Sequence, residues 1–355
     1  MSEQTAVPSA QPVSPVTPPE STHDSGERGS LLQRVLGSGA GRNLGLIIAL
    51  AVLFAIGAIT AGERFSNVEN ILTIIRFASI IGVLSIGMTF VIIGGGIDLS
   101  VGSVLGLASV VATLSWVQVF AEQTTWIVMV VVAIAVGALA GLVNGIVISY
   151  GKVVAFMATL AMLVAARGLA EIFSNRTSQI VRDSSYVEFF GRATFLEIPV
   201  LVWLFILVAA AGWVLLNKTT FGRRTVAIGG NREAARLAGI NVKRHTVYLY
   251  VIAGLAAGIG GVMILGRTTA GVSTHGSLYE LDAIAAVVVG GTLLIGGRGT
   301  IVGTVLGVLI FATLTNIFTI NNLNTSIQAV AKGVIIVLAV MLQQALADRG
   351  TAKKR

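Results

Sequence analysis

Seven ionisable side chains fall inside or beside long apolar runs: Arg76, Asp98, Arg167, Glu171, Glu280, Asp282 and Lys332. Each is costly in hydrocarbon, so each has to face protein, water or an interface. Asp98 lies in the phrase GGGIDLS (94–100), where three glycines and an acid separate two apolar runs. Two roles fit it: capping the free N–H groups of the helix that begins at Leu99, or taking part in a solute pathway. Glu280 and Asp282 open a later apolar run, where they can cap a helix or meet an arriving partner at the outer mouth. Lys332 and Arg76 are available to pair with acids, and the sequence alone assigns them no partners.

Other chemistry is missing. No phosphate-binding G-x-x-x-x-G-K-[ST] loop occurs; Gly151-Lys152 is followed by Val153. Neither a nucleophile elbow nor an H-E-x-x-H zinc motif is present. There are no cysteines, and the three histidines, His23, His245 and His275, fall in a tail and two loops. The sequence therefore predicts no catalytic, cofactor-binding or metal site and no enzyme activity.

The elements that must position these residues are membrane helices. Hydrophobic residues make up 55% of the 355-residue chain and charged ones 11%, about half the usual globular share. The net charge of +8 fits basic loops beside anionic lipid better than nucleic-acid binding. Apolar runs long enough to cross hydrocarbon lie near 43–61, 70–93, 98–120, 125–148, 153–173, 197–216, 246–265, 281–295, 300–320 and 326–346. About ten transmembrane helices in an all-α polytopic membrane protein are expected, or eight if 98–120 or 281–295 is re-entrant. Five of the six prolines fall within the first 19 residues, so residues 1–40 read as a disordered tail. The membrane domain follows at 41–346, with a basic tail at 347–355. Arginines before the first run and Lys/Arg after the last place both termini in the cytoplasm.

One loop stands apart. Residues 217–245 carry seven Lys or Arg (Lys218, Arg223, Arg224, Arg232, Arg236, Lys243 and Arg244) against one acid, Glu233, which marks a cytoplasmic segment. Inside it, NREAARLAG (231–239) reads as a short capped helix. Asn231 serves as N-cap, Glu233 sits where the helix dipole favours an anion, and Gly239 takes the left-handed C′ position. Such a loop either fixes topology alone or presents a docking surface to a soluble partner.

Glycine breaks the apolar pattern twice, at 94–96 and around 290–299. The phrases that follow echo each other: VGSVLG (101–106) and VGTVLG (302–307). Transporters often carry paired broken helices whose free backbone groups line a pathway. Both post-break segments run in the same direction, so a simple inverted repeat does not account for the echo. Elsewhere, as in GLAAGIGG (254–261) and GALAG (137–141), small residues share a helical face and permit close helix contact in lipid.

Taken together, GMTFVIIGGGIDLSVGS (87–103), GLVNG (141–145), FGR (221–223), AIGGNREAARLAGI (227–240), YELDAIAAVVVGGT (279–292) and GGRG (296–299) resemble the membrane-spanning permease subunits of bacterial ABC importers for ribose, xylose, galactose and related monosaccharides. The resemblance runs from Gly87 to the last span. It implies a permease of the cytoplasmic (inner) membrane that works with a second permease copy, ATPase subunits holding ATP and Mg, and a periplasmic or lipid-anchored sugar-binding protein. It also implies that Asn231, Arg232, Glu233, Ala234, Ala235, Arg236 and Gly239 couple to the ATPase, because E-A-A-x-x-x-G resembles the start of the importer coupling motif. The Ile-x-Leu-Pro seen downstream in many such motifs is absent. Sugar sites combine hydrogen-bonding groups with aromatic faces, which makes Phe90, Asp98, Asn144 and Phe156 the candidates for the translocation pathway. One departure is VAFMATL (154–160), which lacks the proline that family members commonly show before this phenylalanine. The rival class is a cation-coupled secondary carrier using Asp98 with Glu171 or Asp282; a nucleoside or other sugar-like solute is the alternative cargo.

Overall fold

The computed structural model describes residues 39–352. Residues 1–38 and 353–355, holding most of the expected N-terminal tail and the end of the basic C-terminal one, lie outside the described residues. In chain order the helices are α1 (Gly39–Ala61), α2 (Glu63–Ser66), α3 (Val68–Ile93), α4 (Val101–Ala112), α5 (Ser115–Gln123), α6 (Ile127–Ser149), α7 (Ala155–Ser174) and α8 (Ser184–Val187). After a π-helical turn (Glu188–Arg192) come α9 (Val200–Lys218), α10 (Thr220–Gly230), α11 (Arg232–Leu237), α12 (Val242–Thr268), α13 (Tyr279–Val289), α14 (Ile301–Ile320) and α15 (Thr325–Ala352). Strands are two residues each: β1 (Gln179–Ile180) pairs antiparallel with β4 (Ala270–Gly271), and β2 (Thr194–Phe195) with β3 (Ile198–Pro199).

The fold is the all-α polytopic one that the apolar runs predict. Among the described residues seven helices are long and apolar enough to cross a membrane, and α4 with α5 makes an eighth if the bent pair is one span. That pair turns by 57° within the expected 98–120 run. The Thr113 hydroxyl folds back onto the carbonyls of Ser109 and Val110, and Leu114 is extended, which ends α4 early. The 281–295 run is likewise interrupted. Its helix α13 stops at Val289 after 11 residues, about 16 Å at the α-helical rise against a hydrocarbon core of about 30 Å.

Helix α12 forms the centre of the bundle. It packs most extensively along α6, then on α3 and α4, and 78% of its apolar window is buried. The α6 contact is as close as the small-residue faces allow. A Cβ added at Gly137 would lie 2.2 Å from Gly254 O, and one at Gly141 2.2 Å from Tyr250 O. In lipid, where solvent exclusion does not drive helices together, such backbone proximity lets dispersion hold them.

The two glycine breaks share one geometry. At the end of α3, Gly95 N–H donates to Ile92 O and Gly96 N–H to Val91 O, both at 2.9 Å, with Gly95 at φ +80°. At the end of α13, Gly291 N–H donates to Val288 O (2.8 Å) and Thr292 N–H to Val287 O (3.2 Å), with Gly291 at φ +89°. Both are Schellman caps, in which a left-handed C′ residue satisfies the last helical carbonyls. The sequence echo therefore reflects a repeated unit: helix, glycine cap, break, helix. The units are bridged by the buried Thr89 and Thr304 hydroxyls, 2.7 Å apart on α3 and α14.

Candidate coupling and translocation sites

The basic loop folds into α10 and α11. The Thr219 hydroxyl accepts from Gly222 N–H to start α10, and Asn231 Oδ1 accepts from Ala234 N–H at 2.9 Å to start α11. Gly239, at φ +81°, closes α11 with the same paired cap bonds, Gly239 N–H to Arg236 O and Ile240 N–H to Ala235 O. Both caps read from the sequence are present. Only Ala235 of α11 is buried, packing with Ile228, Ile240 and Val242. The other face offers Arg232, Glu233, Ala234, Arg236 and Leu237 to solvent, Leu237 being 75% exposed.

The exposed charges are paired within the helix. Arg236 Nε donates to both Glu233 carboxylate oxygens, at 3.1 and 3.2 Å. This hydrogen bonding, with the attraction between the charges, holds the Glu233 carboxyl below and the Arg236 guanidinium above their ordinary pKa values. Arg232 instead turns back to α12, where Nη2 donates to the Thr246 hydroxyl (3.1 Å).

Behind α10 lies an aromatic link that the sequence did not reveal. The Phe221 ring sits between His245 (centroids 4.4 Å apart) and Phe90 (6.2 Å), and His245 Nε2 lies 2.8 Å from the Thr225 hydroxyl. Phe90 is thus packed in the core, joining α3 to α10 and α12. Hydropathy alone gives no signal for this link; the FGR phrase marks only its starting point.

Asp98 and Asn144 do come together, through a residue missed in the sequence. Asp98 Oδ1 accepts from both the N–H (2.9 Å) and the hydroxyl (2.6 Å) of Ser100, and Asn144 Nδ2 donates to that hydroxyl at 2.9 Å. Asp98 therefore organises the turn that starts α4 at Val101, two residues later than the capping role places it. All three side chains are buried. The preceding carbonyl, Ile97 O, accepts from the hydroxyls of Tyr250 (3.3 Å) and Thr159 (3.4 Å).

Phe156 is one turn from Thr159 on α7 and is 48% exposed. It lies on an outward face with Met157, Leu160 and Val164. The absent proline leaves the start of α7 intact. Val154 is extended (φ −60°, ψ 135°) and Ala155 takes the first helical position, where proline is best tolerated. Glu280 and Asp282, expected at an outer mouth, are both buried in the first turn of α13. Asp282 is joined to Lys332 Nζ of α15 at 3.0 Å by each of its oxygens. Arg167 of α7 donates to Ser273 O and His275 O in the segment preceding α13.

A bundle of long apolar helices, broken twice by glycine caps, with one short polar helix exposed beside it, defines a polytopic membrane protein. The chain belongs to the family described as branched-chain amino acid transport system / permease component, which matches residues 70–341. It is 38% identical over 299 residues to the ribose import permease protein of Escherichia coli (strain K12), covering 83% of this chain and 92% of that protein. It is 40% identical over 313 residues to the ribose import permease protein of Bacillus subtilis (strain 168), covering 88% and 96%. The galactose/methyl galactoside import permease protein of Haemophilus influenzae is 34% identical over 310 residues, covering 83% and 92%. No solved structure matches the chain. The resemblance read from the motifs is thereby borne out.

Proposed function

We propose that this chain is the membrane-spanning subunit of an ATP-driven importer and forms the pathway for a monosaccharide, a ribose-like pentose or a hexose, delivered by a separate sugar-binding protein. Two permease copies pair in the inner membrane, with both termini and α11 in the cytoplasm, and ATP and Mg are held by partner ATPase chains. The observation that carries this reading is α11 itself: capped at both ends, held to the bundle by the buried Ala235 and by Arg232 on Thr246, and otherwise exposed. A rigid helix seated on a groove is an established docking mode. Closure of the ATPases would push α11 and favour one orientation of the pathway, and the partners' differential affinity for the two states drives transport. The kinship with ribose import permeases supports the cargo.

Exchanging the charges, Glu233→Arg together with Arg236→Glu, tests the docking role because it keeps the internal ion pair while inverting the pattern offered to a partner. ATP-driven ribose uptake by the reconstituted complex should be lost while the permease still inserts in the membrane. Normal uptake would sink the idea. The cation-coupled carrier retains fewer acids than its sequence version, since Glu171 is paired with Arg176 (2.9 Å) and Asp282 with Lys332. Uptake abolished by a protonophore at constant ATP would favour that class.

A further inference from the structure

Two glycine pairs, Gly229-Gly230 and Gly296-Gly297, meet Gly95 of the first break where α11 joins the bundle. Helix α10 ends in Gly229-Gly230, immediately before the Asn231 cap. A Cβ added at Gly229 would lie 1.7 Å from Ile93 O and 2.5 Å from Gly297 N. These two atoms are themselves hydrogen-bonded: Gly297 N–H donates to Ile93 O at 2.8 Å. A Cβ at Gly296 would come within 3.0 Å of both Gly229 O and Gly95 Cα, and one at Gly297 within 2.9 Å of Gly230 Cα. The end of α10 is therefore wedged, backbone against backbone, into the joint between the first break and the second. Gly230 differs from its neighbour, because a Cβ there would meet nothing within 4 Å.

Side chains absorb small displacements by changing rotamer; a contact made only of backbone has no such slack. A shift of α10 must either carry both breaks with it or tear the hydrogen bond between them. We infer that Gly229 is the positioning residue through which movement of the coupling helix reaches the two glycine breaks together. This rests on the proposal that α11 docks an ATPase. The junction brings together the two glycine breaks and the loop that the sequence marks as cytoplasmic, features otherwise about 65 to 200 residues apart. It acts on the breaks directly, without a lever through the full length of α9 or α12.

The test uses the complex purified from its host membranes and placed in lipid nanodiscs. Three variants are compared with wild type: Gly229→Ala, Gly296→Ala and Gly230→Ala. Co-purification of the ATPase reports docking. The ratio of ATP hydrolysis with ribose-loaded binding protein to hydrolysis without it reports coupling, and a merely structural role would leave this ratio unchanged. Gly229→Ala should lower the stimulation roughly tenfold at unchanged ATPase stoichiometry, Gly296→Ala should lower it less, and Gly230→Ala should match wild type. If Gly229→Ala fails to assemble, Gly296→Ala carries the test, its stimulation falling if the inference holds and staying normal if it does not. Full stimulation in Gly229→Ala, or an equal loss in Gly230→Ala, overturns the inference while leaving docking intact. Absence of any ATPase from the wild-type preparation overturns the docking reading and the inference with it.

Discussion

The two glycine breaks end their first helices with the same cap yet are fastened in different places. The first break is held within the loop, where Asp98, Ser100 and Asn144 form a buried chain and two hydroxyls reach Ile97 O. The second break is closed by backbone, Leu293 N–H to Arg298 O and Gly296 N–H to Leu293 O, is joined to the first by Gly297 N–H to Ile93 O, and is tied further by its arm, where Asp282 of α13 meets Lys332 of α15. Side chains pin one unit at its turn and the other at its leg. The repeated backbone thus sets the shape of each break, while unrelated side chains set how freely it can move.

The largest effect should come from the leg. Lys332→Met leaves Asp282 charged and largely buried without a partner, which should cost about 3 kcal/mol, read as a lower thermal denaturation midpoint in detergent. Adding Asp282→Asn should recover most of it, and no recovery would mean that the pair does not hold α13. Next, Asp98→Ala orphans Ser100 N–H inside the bundle and should cost about 2 kcal/mol; Asp98→Asn, which keeps the acceptor, should cost less. Equal losses for the Ala and Asn variants would break the view that the turn is held by hydrogen bonding. The shared cap is probed by Gly95→Ala and Gly291→Ala, each forcing an L side chain into the left-handed region for about 1–2 kcal/mol. Losses differing by more than a factor of two would show that the caps are alike in form only. Smallest is Thr89→Val with Thr304→Val, expected to cost under about 1 kcal/mol because both partners go together; a double-mutant cycle measures that bridge.

Much of this was legible before the structure, for physical reasons that differ by element. The caps of α11 could be read because Asn231 and Gly239 act on backbone a few residues away, so local sequence contains the whole interaction. The glycine breaks could be read because glycine is the residue a left-handed cap requires. The link from Ser100 to Asn144 and that from Tyr250 to Ile97 could not, since these partners lie 44 and 153 residues apart in sequence. Phe90 was a candidate pathway residue because it is aromatic, and nothing in the chain's periodicity says that Phe221 covers it. The pairing of Asp282 was hidden because the Lys332 that neutralises it comes from the last helix, 50 residues on. The short length of α13 was obscured by Leu293, Leu294 and Ile295, which extend the apolar run although they lie beyond the cap.

That short helix constrains how the protein is made. A segment of 11 residues is about half the length a helix needs to cross the hydrocarbon core. It cannot leave the insertion machinery as a free-standing span. It must wait until α14 has emerged to complete the hairpin, and until α3 and α4 stand ready to receive it. The later half of the chain therefore enters the membrane as a guest of the earlier half, and a truncation before α14 should leave α13 stalled at the surface rather than inserted.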